Sequence, residues 1–218
     1  MKAVELTAAE LEAIRDWSED SQRLAAEILG KYPVRRSAVM PLLYIAMLEH
    51  GYVTAAGMKA VGVLTGLTGA QVQSVASFYS MYKREELGDY LVSVCTSISC
   101  FLVGADDVLA AIEDESGVPD GETGGAGKFS VEHVECNGAC GGAPVVLVNY
   151  EMIEGVTPDK ARELVRWLRD GGPDVVNGDE MQQLFGGKRS FDWGVAGTEG
   201  SFLPIPAFGP YGSSREVG

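Results

Sequence analysis

The sequence predicts an α+β protein, with an N-terminal helical bundle followed by a small α/β domain. Three observations carry this. Residues 1–85 show repeated helix-start signals ahead of apolar stretches, a β-branched run first appears at 89–95, and from there strand and helix patterns alternate as β-α-β-β-β-α.

The elements follow in order. Thr7-Ala-Ala-Glu10 has capping-box spacing and opens a helical pattern that runs to about Leu29, where Gly30 and Pro33 break it. Ser37 to His50 reads as a second apolar helix, with Pro41 tolerated near its start and Gly51 as its stop. A shorter helix spans 55–65. Thr68-Gly-Ala-Gln71 is another capping box, and its helix continues through VQSVASFYSMY, placing Ala76, Phe78, Met81 and Tyr82 in the core. DYLVSVC at 89–95 is a strand, 103–115 is an amphipathic helix, and 117–128 is a loop with a GETGGAGK core. FSVEHVEC at 129–136 and VVLVN at 145–149 are strands, the second forming a hairpin with 151–156. Thr157 then caps a helix from Pro158 to about Arg169.

This gives three segments: 1–85 helical, 86–170 α/β, and a tail at 171–218 holding 11 of the 28 glycines and four of the nine prolines. The tail lacks sustained periodicity and would be poorly ordered in isolation. Its aromatic residues, Trp193 and Phe202 among them, fit a segment that drapes over a partner and buries them there.

A net charge of −14 disfavours nucleic acid and anionic membrane surfaces as partners. No apolar run approaches the roughly 18 residues of a membrane span. The N-terminus MKAVELTAAE has the pattern of neither a secretory signal nor a transit peptide, so the chain reads as cytosolic.

The chemistry is concentrated in four cysteines: Cys95 and Cys100 in VCTSISCFLVG, and Cys136 and Cys140 in VECNGACGGAPVVLVN. The pattern is C-x4-C-x35-C-x3-C. A right-handed crossover makes the first two strands parallel neighbours. Cys95 and Cys136 would close those strands, at the carboxyl ends where sites in open α/β sheets gather. The two pairs therefore converge. Reduced cytosolic thiols favour metal or redox chemistry over structural disulfides. Neither pair has the C-x-x-C spacing of catalytic dithiols, while zinc remains open on spacing alone. Of the histidines, His50 lies away from the loops and His133 reads as a strand residue. A [2Fe–2S] cluster takes two thiolates per iron, which suits two loops each delivering a pair. Gly138, Gly141 and Gly142 would bring backbone N–H groups close to its sulfurs, or serve the turn alone.

The cysteine pattern within ECNGACGGAP and VCTSISC resembles that of the thioredoxin-like [2Fe–2S] ferredoxins. YPVRRSAVMPLLYIAMLEHGYV, VASFYSMY and GETGGAGKFSVEHVEC resemble, more specifically, the small [2Fe–2S] subunits of NADH:quinone oxidoreductase, over roughly residues 10–170. The resemblance implies a four-helix domain leading into a thioredoxin-like α/β ferredoxin domain, with Cys95, Cys100, Cys136 and Cys140 as ligands of one [2Fe–2S] cluster. It implies an electron-transfer role beside a flavoprotein subunit that carries FMN and binds NADH, among other peripheral-arm subunits at the cytoplasmic side of the inner membrane. The chain itself shows no dinucleotide or phosphate-binding motif. The equivalent subunit of an NAD-linked hydrogenase or formate dehydrogenase is the alternative within the class. A zinc-stabilised interaction module and a thiol–disulfide enzyme are alternatives outside it. Two departures stand beside the cysteines: the apolar FLVG after Cys100, and Asn137 after Cys136.

Overall fold

A computed structural model describes residues 3–191. Among them the chain divides into two compact units, one ending at Glu86 and one beginning at Leu87.

Five helices build the first unit, one more than the sequence predicts: α1 (Ala8–Ala13), α2 (Glu19–Lys31), α3 (Val39–His50), α4 (Ala55–Thr65) and α5 (Gly69–Phe78). The capping box at Thr7 is present, with Thr7 Oγ1 accepting from Glu10 N–H and the Glu10 side chain accepting from Thr7 N–H. The helix it opens stops at Ile14, however, and Ser18 starts another by accepting the Ser21 N–H. Glu49 of α3 holds that break, accepting from Ser18 N at 3.0 Å, from Ser18 Oγ at 2.8 Å and from the Ser21 hydroxyl. Gly51 ends α3 with φ +78, and the Thr68 capping box starts α5, both as the sequence predicts. Phe78 does not join the core. It is 80% exposed, because α5 ends there and the chain turns outward, while Tyr82 returns to the interior and donates its hydroxyl to Met40 O at 3.0 Å.

The second unit is a four-stranded mixed sheet in the order β2-β1-β3-β4. β1 (Tyr90–Cys95) runs parallel to β2 (Phe129–Val134), in the register Tyr90 opposite Phe129 to Cys95 opposite Val134. This is the arrangement the crossover rule predicts. β3 (Val145–Val148) is antiparallel to β1, and β4 (Glu151–Glu154) forms a hairpin with β3. The two-residue turn puts Asn149 at φ +47 and Tyr150 at φ +69. Paired positive φ values match the twist of a tight hairpin, and asparagine tolerates them best of the non-glycine residues. Asn149 is also buried, taking the Leu91 N–H on Oδ1 at 2.8 Å and donating to Asp89 O at 3.0 Å.

The second-unit helices are α6 (Ile98–Leu102), α7 (Ala105–Ser116), α8 (Pro158–Gly171) and α9 (Gly178–Phe185). Val92, Val94, Val131, Val146 and Ile153 of the sheet bury against Val108 and Ile112 of α7 and Leu164, Val165 and Leu168 of α8. α9 corrects the expectation of an irregular tail from residue 171. Asn177 caps it by accepting the Glu180 N–H, and Met181 and Phe185 are buried in the same core. Trp193 and Phe202, for which the sequence suggested burial on a partner, lie outside the described residues. Among the described residues no helix is long and apolar enough to cross a membrane.

Candidate metal centre

Cys95 is the last residue of β1 and Cys100 lies inside α6, one short turn later. Cys136 follows the end of β2 by two residues, in place of closing it, because pairing stops at Val134. Cys140 begins a 3-10 turn, Cys140–Gly142, ahead of the cis Ala143–Pro144 bond and β3. Two bonds tie the cysteine loops to each other. Thr96 N–H donates to Val134 O at 3.1 Å, and the Ser97 hydroxyl donates to the Glu135 carboxylate at 3.1 Å.

The four cysteines form two unlike pairs, one at the end of β1 and in α6, the other in the loop that follows β2. Cys95 and Cys100 are buried, in a small cluster with Ala105, Ala139 and Val145. Cys136 and Cys140 are exposed, with their sulfurs 3.7 Å apart. Cys100 and Cys140 are near enough to influence each other's charge. Burial pushes the Cys100 thiol up to about 11, and the neighbouring Cys95 adds to the rise.

A backbone donor reaches one of the sulfurs: Gly138 N–H approaches Cys136 Sγ at 3.4 Å. Gly138 has φ +81, so the turn requires it as well. Gly141 and Gly142 have a different reason from the one the sequence offered. A Cβ on Gly142 would lie 2.8 Å from both Glu154 Cβ and Lys188 O, and one on Gly141 would lie 3.3 Å from Ser190 Cα. These glycines admit a neighbouring stretch of chain.

His133 is a surface strand residue, its Nδ1 2.6 Å from Asp120 Oδ2. Among the described residues no three Cys, His, Asp or Glu side chains stand close enough together to hold a metal ion as they are placed. The donor set consists of two pairs of thiols, one with a backbone N–H beside it, and paired thiols are the chemistry of a cluster with two irons. The residues present fit such a group.

Comparison with known proteins agrees with this donor chemistry. Residues 25–169 match the family model of thioredoxin-like [2Fe-2S] ferredoxins, and the chain belongs to that family. It is similar to the E-type subunit of NADH-quinone oxidoreductase from Mycobacterium tuberculosis (strain ATCC 25618 / H37Rv), at 47% identity over 68% of this chain and 59% of that protein. The chain thus spans somewhat under two thirds of the mycobacterial relative's length. NADH-quinone oxidoreductase subunit 2 of Thermus thermophilus is 38% identical over 70% of this chain and 86% of its own. In fold, the crystal structure of an NAD+-reducing [NiFe]-hydrogenase in its H2-reduced state aligns with a TM-score of 0.54 and 15% identity, over 61% of this chain and 22% of that one.

Proposed function

We propose that this chain is the electron-carrying subunit of an NADH-quinone oxidoreductase, with Cys95, Cys100, Cys136 and Cys140 holding one [2Fe–2S] cluster and with FMN and NADH on a partner flavoprotein. The observation that supports the reading is that the two cysteine pairs lie on loops tied to each other by the Thr96–Val134 and Ser97–Glu135 bonds, within the matched family frame. A cluster of this kind supplies one-electron storage and relay. The chain's own residues do the rest. Cys95 and Cys100 anchor one side from within the core, Cys136 and Cys140 hold the solvent side, and the Gly138 N–H offsets negative charge at Cys136.

A docking surface lies next to the buried pair. Ile98, Phe101, Leu102 and Val103 flank Cys100 and are 53–73% exposed. Contiguous exposed apolar residues mark interaction sites. An apolar face there would keep water from the site once the flavoprotein covers it, and would bring the two redox groups close. It also gives the apolar FLVG departure a purpose.

The test is anaerobic purification with iron, zinc and acid-labile sulfide counted, followed by EPR after reduction. The expected result is about two irons and two sulfides per chain with an EPR signal on one-electron reduction. Single Cys→Ser changes at the four positions should each deplete or alter that signal. A colourless chain holding zinc, and no cluster after anaerobic reconstitution, overturns the reading.

A further inference from the structure

The loop from Cys136 to Gly142 raises a physical problem. Both its cysteines are exposed and its only regular structure is one 3-10 turn, yet ligands must be held in a fixed geometry. The rigidity has to come from behind the loop. There, Gly155 N–H donates to Gly142 O at 2.5 Å and to Pro144 O at 2.9 Å. On the other side of Gly142 lies Glu154, the last residue of β4, only 1% exposed. Its carboxylate accepts the Ser190 N–H at 2.6 Å. Its main chain is fixed as well: Glu154 N–H donates to Gln182 Oε1 at 2.7 Å, and Glu154 O accepts from Gly187 N at 2.8 Å and from Gln182 Nε2 at 3.1 Å. Gln182 Nε2 is also 3.2 Å from Gly187 O. The stretch 187–190 is thereby laid directly behind Gly141 and Gly142.

We propose that Glu154 is a positioning residue for the cluster: by clamping residues 187–190 against Gly141–Gly142, it fixes the loop that presents Cys140. The clamp rests on the reading of the four cysteines as ligands. Its outer half, α9 and residues 186–190, lies beyond the 25–169 family match. A carboxylate buried in this way is costly unless its acceptor sites are used, and the Ser190 N–H uses one of them. The effect is one-sided. Cys95 and Cys100 are held by β1, α6 and the core, and none of the bonds above reaches them.

The experiment uses the full chain as wild type, Glu154→Ala, Glu154→Gln and Gly142→Ala. Glutamine keeps an acceptor for Ser190; alanine removes it; the added methyl at position 142 pushes the clamp away from the other side. Hydrogen exchange is read on the chain after chelation, and cluster release to a chelator and EPR line shape on the loaded chain. In E154A, exchange should quicken about tenfold in 137–143 and 186–191 and stay within about twofold in 90–100. Cluster release should quicken about tenfold with an altered line shape, and E154Q should restore both. G142A should reproduce the E154A pattern, and it carries the test if E154A does not fold. Uniform acceleration across all segments, or no rescue by E154Q, overturns the proposal, as does local loosening without any change in release or line shape. If the loaded chain holds zinc instead, the functional reading fails on the metal count, and the proposal for Glu154 falls with it although exchange still reports the contact.

Discussion

Asn149 does three things that no other residue type does together. It accepts a positive φ, takes the Leu91 N–H on its side-chain oxygen, and donates its amide to Asp89 O, all while 1% exposed. Asn149→Ala should cost about 2 kcal/mol in urea unfolding of the chain, since it leaves a buried N–H unpaired as well as straining the turn. A cost near zero would mean that water replaces the side chain. Glu49 and Glu10 make the first unit acid-sensitive. Burial alone would raise both carboxyls, but for Glu49 the bonds from Ser21 and Ser18, and for Glu10 those from Thr7 with the Arg35 guanidinium, outweigh it and hold them below the usual range. A lowered folded pKa gives stability that is present above the unfolded value of about 4.3 and is lost as pH falls through the folded value. Thermal melts should therefore drop between about pH 5 and 3, and Glu49→Gln should flatten that slope while costing about 1–2 kcal/mol at neutral pH. An unchanged slope in E49Q would remove Glu49 from the account. Some of this was legible: the cysteines and the Thr7 and Thr68 caps are local patterns of residue type. Glu49 and Glu154 were not, because their partners lie 28 to 36 residues away along the chain.

At the scale of elements, the caps explain both the successes and the misses. Gly51, Thr68 and Thr157 punctuate the chain where apolar periodicity also changes, so two signals coincide. Ser18 sits inside a pattern that is periodic on both sides, and its cap was hidden by that continuity. α9 had a signal too, Asn177 three residues before Glu180, obscured by the glycines and prolines around it. Because Met181 of α9 is fully buried, Met181→Ala should cost about 2–5 kcal/mol in a thermal or urea melt. A dispensable α9 would give less than about 0.5 kcal/mol. α6 predicts the opposite separation of effects. Leu102 is 73% exposed, so Leu102→Asp should leave the melt and the EPR signal as they are. Capture of the flavoprotein subunit should fall roughly tenfold or more if this face is the centre of the interface. Normal capture would move the docking surface elsewhere.

For the molecule as a whole, the net charge of −14 acts on whatever charge the cysteines hold. Reduction adds one negative charge at the site, and surrounding acidic groups oppose it. One such group 10 Å away through water contributes about 0.4 kcal/mol, roughly 17 mV for a one-electron couple. Salt screens these distant terms with a Debye length of about 10 Å at 0.1 M, but leaves contacts as close as that of Gly138 N–H on Cys136 nearly untouched. The two contributions to the potential can thus be told apart by ionic strength. If the acidic surface sets it, the midpoint potential of the full chain should rise by on the order of 20–40 mV between 10 mM and 0.5 M salt. A flat response would assign the potential to close contacts such as the Gly138 N–H on Cys136, and changes to surface carboxylates would then leave it where it is.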